Sequence, residues 1–450
     1  MFSRKLWCSL AGRRTRRHSL PLSLSFAICA LVLISTLAAW PASSKLPPEP
    51  SQPLIAIADV HNAFDDFVSI LRRTGLIDAQ NHWSGGKATF VQTGDLLDRG
   101  PKPREVVDLM MALEKEAPQA GGRVVSLLGN HELMNIMGDL RYVTPGNYAS
   151  FSDASSAERQ KTAHNDFLEW RGKHASLLAE LTTPMELTEA EWLARHPLGF
   201  VEHREAFGPK GKYGEWLRGH SAVAEINGAI FLHGGITPAL SGTKIDAMNS
   251  RIRDEIKNFD SLKAFLEHEK LILPFFTLQE INAVLQAELT LEAKSRALGN
   301  GERQTKIQEF LKQGEWLSVR VDGPLWFRGY DQWSDADGAP QIARVLEAYK
   351  ASHAVVGHTV QKGGRIRPRF DNKIFLIDTG MLSSYYPGGR PSALALCGPS
   401  KIVAVYLDQQ TAFVQSTSHA TSPAPSDSAA APPKSVASPE ELCAATQLAP

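Results

Sequence analysis

Cysteine and net charge are both scarce in this chain. Four of its 450 residues are cysteine, and 48 Lys and Arg balance 48 Asp and Glu. Cys8 and Cys29 lie near the amino terminus and Cys443 near the carboxyl terminus, which leaves Cys397 alone in the body. We therefore expect neither a disulfide scaffold nor a cysteine-rich zinc site. The lack of a basic excess gives no support to a nucleic-acid partner.

The first 44 residues have a composition of their own. They contain six Lys or Arg and no Asp or Glu, and residues 20–40 form an uncharged stretch. A basic segment before an apolar one is typical of a signal peptide, and this stretch is also long enough to anchor the chain in a bilayer. We predict that residues 1–44 are a signal peptide or membrane anchor. The rest of the chain would then be exported, periplasmic or membrane-tethered, outside the cytoplasm.

The carboxyl-terminal segment is rich in Ser, Ala and Pro, as in TSPAPSDSAAAPPKSVASP. Such a composition buries too little apolar surface to order itself. It predicts a disordered tail over 413–450, after a folded body over 45–412. Within the body, about 150–220 and 240–315 are rich in Leu, Ala, Glu, Lys and Arg, which predicts two helical inserts.

Short apolar runs in the body each end in a polar turn. LIAIADVHN, ATFVQTGD and RVVSLLGNHE predict three strands, and a helical pattern follows the first two. Later runs end in GAIFLHGG and HAVVGHT. Alternating strands and helices predict an α/β fold with helices packed on a parallel or mixed sheet. Functional groups in such folds collect beyond the carboxyl ends of the strands.

Oxygen and imidazole donors stand at these strand ends: Asp59, His61, Asp95, Asn130, His233 and His358. Taken alone, an Asp after a strand is typical of a helix cap, and a His beside glycines of a hydrogen-bonded loop. Together the donors form a ligand set that suits Mn, Fe or Zn. Six ligands exceed the needs of one tetrahedral ion. Two ions that share one carboxylate would use all six, and could activate a water for attack on a phosphate ester.

The motifs DVH, GDLLDRG, GNHE, HGG and GH, in this order, resemble those of the metallophosphatase superfamily with the calcineurin-like phosphoesterase fold. Within it they are closest to the phosphoprotein-phosphatase branch. GPLWFRGY and SSYYPGG are similar to the Shewanella-like protein phosphatases of that branch. The resemblance covers about residues 51–410. It implies a four-layer α-β-β-α sandwich of mixed sheets, here with helical insertions.

The same resemblance implies a role for each site residue. The six donors would bind two metal ions, with Asp95 bridging them. His131 would be the general acid, and Asp98 would orient its imidazole. Arg99 would bind the substrate phosphate through its planar guanidinium, and Arg328 is the candidate for a second phosphate ligand.

Other polar residues have simpler explanations. Tyr385 and Tyr386 rank low as site residues, because adjacent tyrosines commonly pack. His203 and His220 fall in the first polar insert and are predicted to lie on the surface. Asp378 is expected to stabilise a turn near the site.

The first motif departs from the family pattern at two positions. Ala58 precedes Asp59, and Asn62 follows His61, where the family carries glycine on both sides. Because the ligands are retained, we expect metal binding to be retained. The approach of the backbone to the substrate should change, since a side chain at position 62 fills space that glycine leaves open.

These features predict a two-metal phosphomonoesterase that uses a metal-bound hydroxide. The resemblance implies a phosphoprotein substrate, carrying phosphotyrosine or phosphoserine and phosphothreonine. One alternative is an exported small-molecule or nucleotide phosphoesterase of the same fold. Another is a non-catalytic, membrane-tethered binding module, against which the retention of every ligand, His131, Asp98 and Arg99 argues.

Overall fold

A computed structural model of the chain describes residues 52–181, 188–295, 301–398, 401–414 and 438–444. The predicted leader, with its candidate membrane span at 20–40, lies outside these ranges, as does most of the predicted tail. Among the described residues, no helix combines the length and apolar character that crossing a bilayer requires.

The described strands form two mixed sheets. In chain order they are β1 (Leu54–Ile57), β2 (Thr89–Gln92), β3 (Arg123–Ser126), β4 (Val223–Ile226), β5 (Ala229–Leu232), β6 (His353–Val356), β7 (Arg367–Arg369), β8 (Ile374–Leu376), β9 (Ser392–Leu396), β10 (Lys401–Tyr406) and β11 (Gln410–Val414). One sheet has the strand order β11-β10-β9-β1-β2-β3 and the other β4-β5-β6-β8-β7.

Three neighbouring strands are parallel in each sheet. β1, β2 and β3 run together in one sheet, and β5, β6 and β8 in the other. The remaining strands, β9 to β11 in one sheet and β4 and β7 in the other, pair antiparallel. Each sheet therefore brings three carboxyl ends to one edge, where loops can gather functional side chains.

Helices surround the sheets and fill both predicted inserts. Those in the described part of the chain are α1 (Phe64–Arg73), α2 (Pro103–Glu116), α3 (Asn130–Met137), α4 (Pro145–Phe151), α5 (Ser156–Lys173), α6 (Ala175–Leu178), α7 (Glu189–Arg195), α8 (Phe200–Phe207), α9 (Lys212–Arg218), α10 (Ile245–His268), α11 (Leu278–Ser295), α12 (Gly301–Leu311), α13 (Gly329–Gln332), α14 (Asp335–Tyr349) and α15 (Pro439–Ala444).

The core has two apolar layers, and alternate residues of β1 belong to one layer and to the other. Leu54 and Ala56 pack between the two sheets, with side chains such as Phe231 of β5. Ile55 and Ile57 point the other way, into the larger cluster under the helices. This alternation is the period of two expected of a strand buried on both faces. The layers make up an α-β-β-α sandwich, so the predicted fold class is confirmed.

The carboxyl terminus differs from the prediction. Cys397 forms a disulfide with Cys443. Leu442 of α15 is fully buried, and Lys401 donates a hydrogen bond to the carbonyl of Cys443. The expectations of an unpaired Cys397 and of a disordered tail are therefore wrong at residues 438–444. Local composition cannot reveal a cross-link between residues 46 positions apart.

The first insert also differs from the prediction at its histidines. His203 of α8 is only 2% exposed and is surrounded by the rings of Tyr148, Phe151 and Phe207. His220 is partly buried, with its Nε2 3.4 Å from Glu114 Oε1. The surface assignment is wrong because burial here depends on the packing of α8 against α4, which the polar sequence of the insert does not show.

Candidate metal centre

The predicted metal ligands all follow a parallel strand within four residues of its carboxyl end. Asp59 and His61 follow β1, Asp95 follows β2 and Asn130 follows β3, whereas His233 and His358 follow β5 and β6. All of these side chains are buried, and none is more than 6% exposed. Because the strands run in parallel, residues far apart in the chain meet at one place.

Asp95 lies at the middle of this cluster. Its Oδ2 is 3.2 Å from His233 Nε2 and 3.8 Å from His61 Nε2. Two groups of side chains could each hold a metal ion, one with His61 and His131 and the other with His233 and His358, and Asp95 belongs to both. Asn130 Oδ1 lies 2.8 Å from His233 Nε2, on the side of the second group.

Backbone carbonyls orient the three imidazoles predicted to bind metal. The contacts are His61 Nδ1 to Leu97 O (2.8 Å), His233 Nδ1 to Thr93 O (3.1 Å) and His358 Nε2 to Trp326 O (3.0 Å). A carbonyl oxygen only accepts, so the bonded nitrogen of each ring carries the proton. The other nitrogen keeps a lone pair, which is the form of histidine that binds metal.

Burial and like charge make the cluster a strong site for a cation. Asp59 accepts a hydrogen bond from the amide of His358 at Oδ1 (2.9 Å). Its pKa is raised well above the ordinary value by burial, and further by the negative charges of Asp378 and Asp95. Carboxylates, an amide oxygen and imidazole lone pairs thus meet in a buried space. Cations relieve such a concentration of acceptors, so the residues present fit a pair of metal ions.

Glu132 of α3 holds the backbone of Asp95 by hydrogen bonds. Its buried carboxylate accepts hydrogen bonds from the amides of Asp95 (2.7 Å), Leu96 (2.9 Å) and Gly129 (2.8 Å). These bonds join the turn after β2 to the first turn of α3. The sequence assigned Glu132 no role. Its carboxylate makes the half of a capping box in which the third helical residue accepts from the amide of the N-cap residue, here Gly129.

His131 and Asp98 form a buried hydrogen-bonded pair. His131 Nδ1 lies 2.6 Å from Asp98 Oδ2, so the opposite nitrogen, Nε2, faces the site, 3.8 Å from Asp95 Oδ2. Burial lowers the pKa of His131, but the charges of Asp95 and Asp98 outweigh it, so the pKa lies above the ordinary value. A protonated imidazole held in one orientation is what a general acid requires.

The sequence profile of the calcineurin-like phosphoesterase family matches residues 52–362, more than half of the chain. The chain belongs to the calcineurin-like phosphoesterase family. It is therefore a metal-dependent phosphatase, a hydrolase of phosphoric esters, as predicted.

Relatives of this phosphoesterase include protein phosphatases. The chain is 24% identical to Shewanella-like protein phosphatase 1 of Plasmodium berghei, over 75% of this chain and 69% of that protein. It is 29% identical to Shewanella-like protein phosphatase 2 of Arabidopsis thaliana, over 47% of this chain and 53% of that protein. An uncharacterised Schizosaccharomyces pombe protein is 29% identical over 73% of both chains.

A solved structure shares the fold. The crystal structure of a cold-active protein tyrosine phosphatase from a psychrophilic Shewanella species aligns with a TM-score of 0.50 and 23% identity, over 80% of both chains. The likeness to Shewanella-like protein phosphatases inferred from the motifs is thus confirmed.

Arg99 lies at the opening of the phosphoesterase site. Its guanidinium contacts His61 and the hydroxyl of Tyr386, and its Nη2 is 3.1 Å from His131 Nε2. Its Cζ is also 5.0–5.4 Å from the ring centres of three tyrosines: Tyr142, Tyr385 and Tyr386. Tyr386 is therefore a site residue despite its low rank, and Tyr142 was missed altogether. The sequence around each tyrosine does not show its contact with Arg99, because only the folding of the chain brings the two residues together.

Arg328 and Asp378 border the centre from the second sheet. Arg328 is exposed and donates hydrogen bonds to the carbonyl of His358 (2.7 Å) and to Thr359 Oγ1 (3.0 Å). It thus lies beside a predicted metal ligand, His358, and phosphate binding by Arg328 stays a prediction. Asp378 accepts a hydrogen bond from the amide of Gly380 (3.0 Å), as a turn-stabilising residue would. Burial raises the pKa of Asp378 to about 6.

Proposed function

We propose that this chain is a two-metal phosphomonoesterase that acts on phosphorylated proteins. The observation that carries the proposal is the place of Asp95 in two groups of metal-binding side chains. One ion would be held by His61 and Asp95 of the first group together with Asp59, since His131 is assigned the role of acid. The other would be held by Asp95, His233 and His358 of the second group together with Asn130. The mixture of hard oxygen and imidazole ligands suits Mn, Fe or Zn. When bound, the ions would polarise the phosphate and lower the pKa of a water, so that the hydroxide needed for attack is available at neutral pH.

The chain's own residues would handle the phosphate and the proton. Arg99 presents a planar pair of donors at the opening, suited to two oxygens of a phosphate. His131 would give the proton on Nε2 to the departing oxygen, because Asp98 holds the opposite ring nitrogen. Asp98 thereby fixes both the tautomer and the direction of the imidazole.

The shape of the opening favours a substrate displayed on a protein surface. Tyr142 is 38% exposed and Tyr385 is 49% exposed, and both stand beside Arg99. An open aromatic rim admits a phosphorylated side chain, phosphotyrosine or phosphoserine and phosphothreonine, without enclosing it. Similarity to two Shewanella-like protein phosphatases supports the same class. The second candidate is a small-molecule or nucleotide phosphoesterase, which the ligand set alone would serve equally well.

We also propose that the enzyme works outside the cytoplasm, exported or tethered by residues 20–40. The basic and then apolar composition of residues 1–44 supports this location. So does the disulfide between Cys397 and Cys443, because disulfides persist in oxidising compartments.

A substrate panel with added Mn²⁺ tests the activity and the substrate class together. It compares a phosphotyrosine peptide, a phosphoserine peptide, a nucleoside monophosphate and a dinucleotide polyphosphate. We expect turnover of one or both peptides to exceed that of the nucleotides. Equal turnover of all four compounds would contradict a dedicated protein phosphatase.

A single substitution tests the chemistry assigned to the site. His131→Asn keeps a polar side chain but removes the proton donor, and should lower kcat by about 10²–10⁴-fold. Metal content, measured by mass spectrometry, should stay at the wild-type level. A variant that retains wild-type activity would show that His131 is not the acid.

A further inference from the structure

Asn135 of α3 is buried beside the acid pair. Its Nδ2 donates hydrogen bonds to Asp98 Oδ1 and to the carbonyl of His131, both at 2.9 Å. Asp98 holds His131 through its other oxygen, Oδ2. Each oxygen of Asp98 therefore has one partner, and Asn135 ties the carboxylate to the helix turn that carries His131.

The orientation of the Asn135 amide follows from its surroundings. Both of its partners are acceptors, so only the NH₂ group can face them. Its Oδ1 has no hydrogen-bond partner among the described residues, and the side chain is 1% exposed. Leaving a buried oxygen unpaired has a cost, which the two bonds to the acid pair must offset.

Arg204 connects this arrangement to the first helical insert. Its guanidinium donates to the carbonyl of Asn135 (3.1 Å), one of the last carbonyls of α3, and lies against Gly138 just past the helix end. Arg204 is itself buried, with 7% of its surface exposed. A buried guanidinium at a helix carboxyl terminus is favourably placed for the helix dipole.

We propose that Asn135 is a positioning residue for the general acid, and that Arg204 fixes the helix end from which Asn135 acts. The inference rests on the proposed function, because it gives His131 the role of acid. Asn135 prevents Asp98 from turning, and Asp98 prevents the imidazole from turning. The first insert thus contributes to the geometry of the acid through Arg204.

Dependence on the leaving group separates positioning from general stability. Nitrophenolate leaves without help from an acid, whereas phenolate needs its oxygen protonated. In the metal-loaded full chain, Asn135→Ala should lower kcat/KM for phenyl phosphate about 10-fold or more beyond its effect on p-nitrophenyl phosphate. Equal losses for the two substrates would overturn the proposal.

A second measurement does not depend on activity. The Nδ1 proton of His131, in its short bond to Asp98, should give a far-downfield proton resonance that is missing in His131→Asn. Asn135→Ala should shift this resonance or broaden it by exchange, and an unchanged resonance would overturn the proposal. If the wild type hydrolyses neither substrate, the proposed function fails, and the resonance alone decides whether Asn135 positions His131.

Two further variants control for general effects on folding. Ile136→Val alters the next buried residue of α3 and should change neither the substrate ratio nor the resonance. If Asn135→Ala does not fold, Asn135→Ser is used, because its hydroxyl is too short to reach Asp98.

The Arg204 arm is tested by two substitutions. Arg204→Met should reproduce the selective loss on phenyl phosphate at a smaller size, and Arg204→Lys should restore part of it. Equal losses on both substrates for Arg204→Met would remove Arg204 from the proposal.

Discussion

Several residues of the site have left-handed backbone. Positive φ angles occur at the non-glycine residues His61 (48°), Asn62 (62°), Asp95 (58°), Asp98 (71°), Arg99 (66°) and His358 (67°). Such conformations cost about 1–3 kcal/mol each and persist where surrounding bonds enforce them. Here Glu132 and the carbonyl contacts of the imidazoles enforce them. These left-handed conformations direct the side chains of neighbouring loops toward the candidate metal centre.

Asn62 stands where the family pattern described above has glycine. Its φ of 62° lies in the region that glycine enters freely and that Asn tolerates better than other residues. The side chain points away from the opening and donates to the carbonyl of Gly100 (3.0 Å). The added side chain is buried against the turn after Arg99, and a changed approach of the backbone to the substrate stays a prediction.

We predict that Asn62→Ala destabilises the protein more than Asn62→Gly does. Both changes remove the bond to Gly100, but only alanine carries a Cβ into left-handed backbone, at a further cost of about 1 kcal/mol. Urea unfolding of the metal-free variants measures the difference. An alanine variant as stable as the glycine variant would contradict the strain argument.

At the scale of secondary-structure elements, the strand ends and the helical character of the inserts could be predicted, but the contacts that the helices make could not. Asp59, Asp95 and His233 follow apolar runs, and parallel pairing alone brings such residues together. Asn135 and Asp98 are 37 positions apart and meet only because α3 lies over the turn after β2. A single asparagine among the apolar residues of a short helix has no periodicity that marks such a contact. For the same reason the burial of His203 was not foreseen.

His203 should make the first insert sensitive to acid. Burial lowers the pKa of His203 from 6.5 to about 3. At pH values between these two, His203 is protonated in the unfolded chain and neutral in the folded chain. Stability therefore falls as the pH drops through this window, by about 2 kcal/mol between pH 7 and pH 5. His203→Phe suits the aromatic surroundings and should remove this loss. Unfolding at both pH values, for wild type and variant, measures it, and equal losses would refute the assignment.

At the scale of the whole molecule, the disulfide fastens the carboxyl terminus far from the chemistry. Cys397 directly follows β9, whose Leu396 pairs with Leu54 at the amino end of β1. The metal centre lies beyond the opposite end of β1. The cross-link therefore contributes to stability and not to the site.

Removing the disulfide should lower stability and spare activity. The double change Cys397→Ser and Cys443→Ser should lower the free energy of unfolding by about 2–4 kcal/mol, because the unfolded chain regains freedom. We expect kcat to stay within about twofold of wild type. Urea unfolding with and without reductant checks this result. Reductant should weaken the wild type alone, and an equal effect on the variant would show that the bond does not form.

The proposed function requires that one carboxylate, that of Asp95, serves two metal ions. Metal content per chain, measured by mass spectrometry after loading with Mn²⁺, tests it most directly. We expect about two ions in the wild type, about one in His358→Ala, and close to none in Asp95→Asn, because Asp95 belongs to both groups. Asp95→Asn protein that still binds two ions, or wild-type protein that binds only traces, would contradict it.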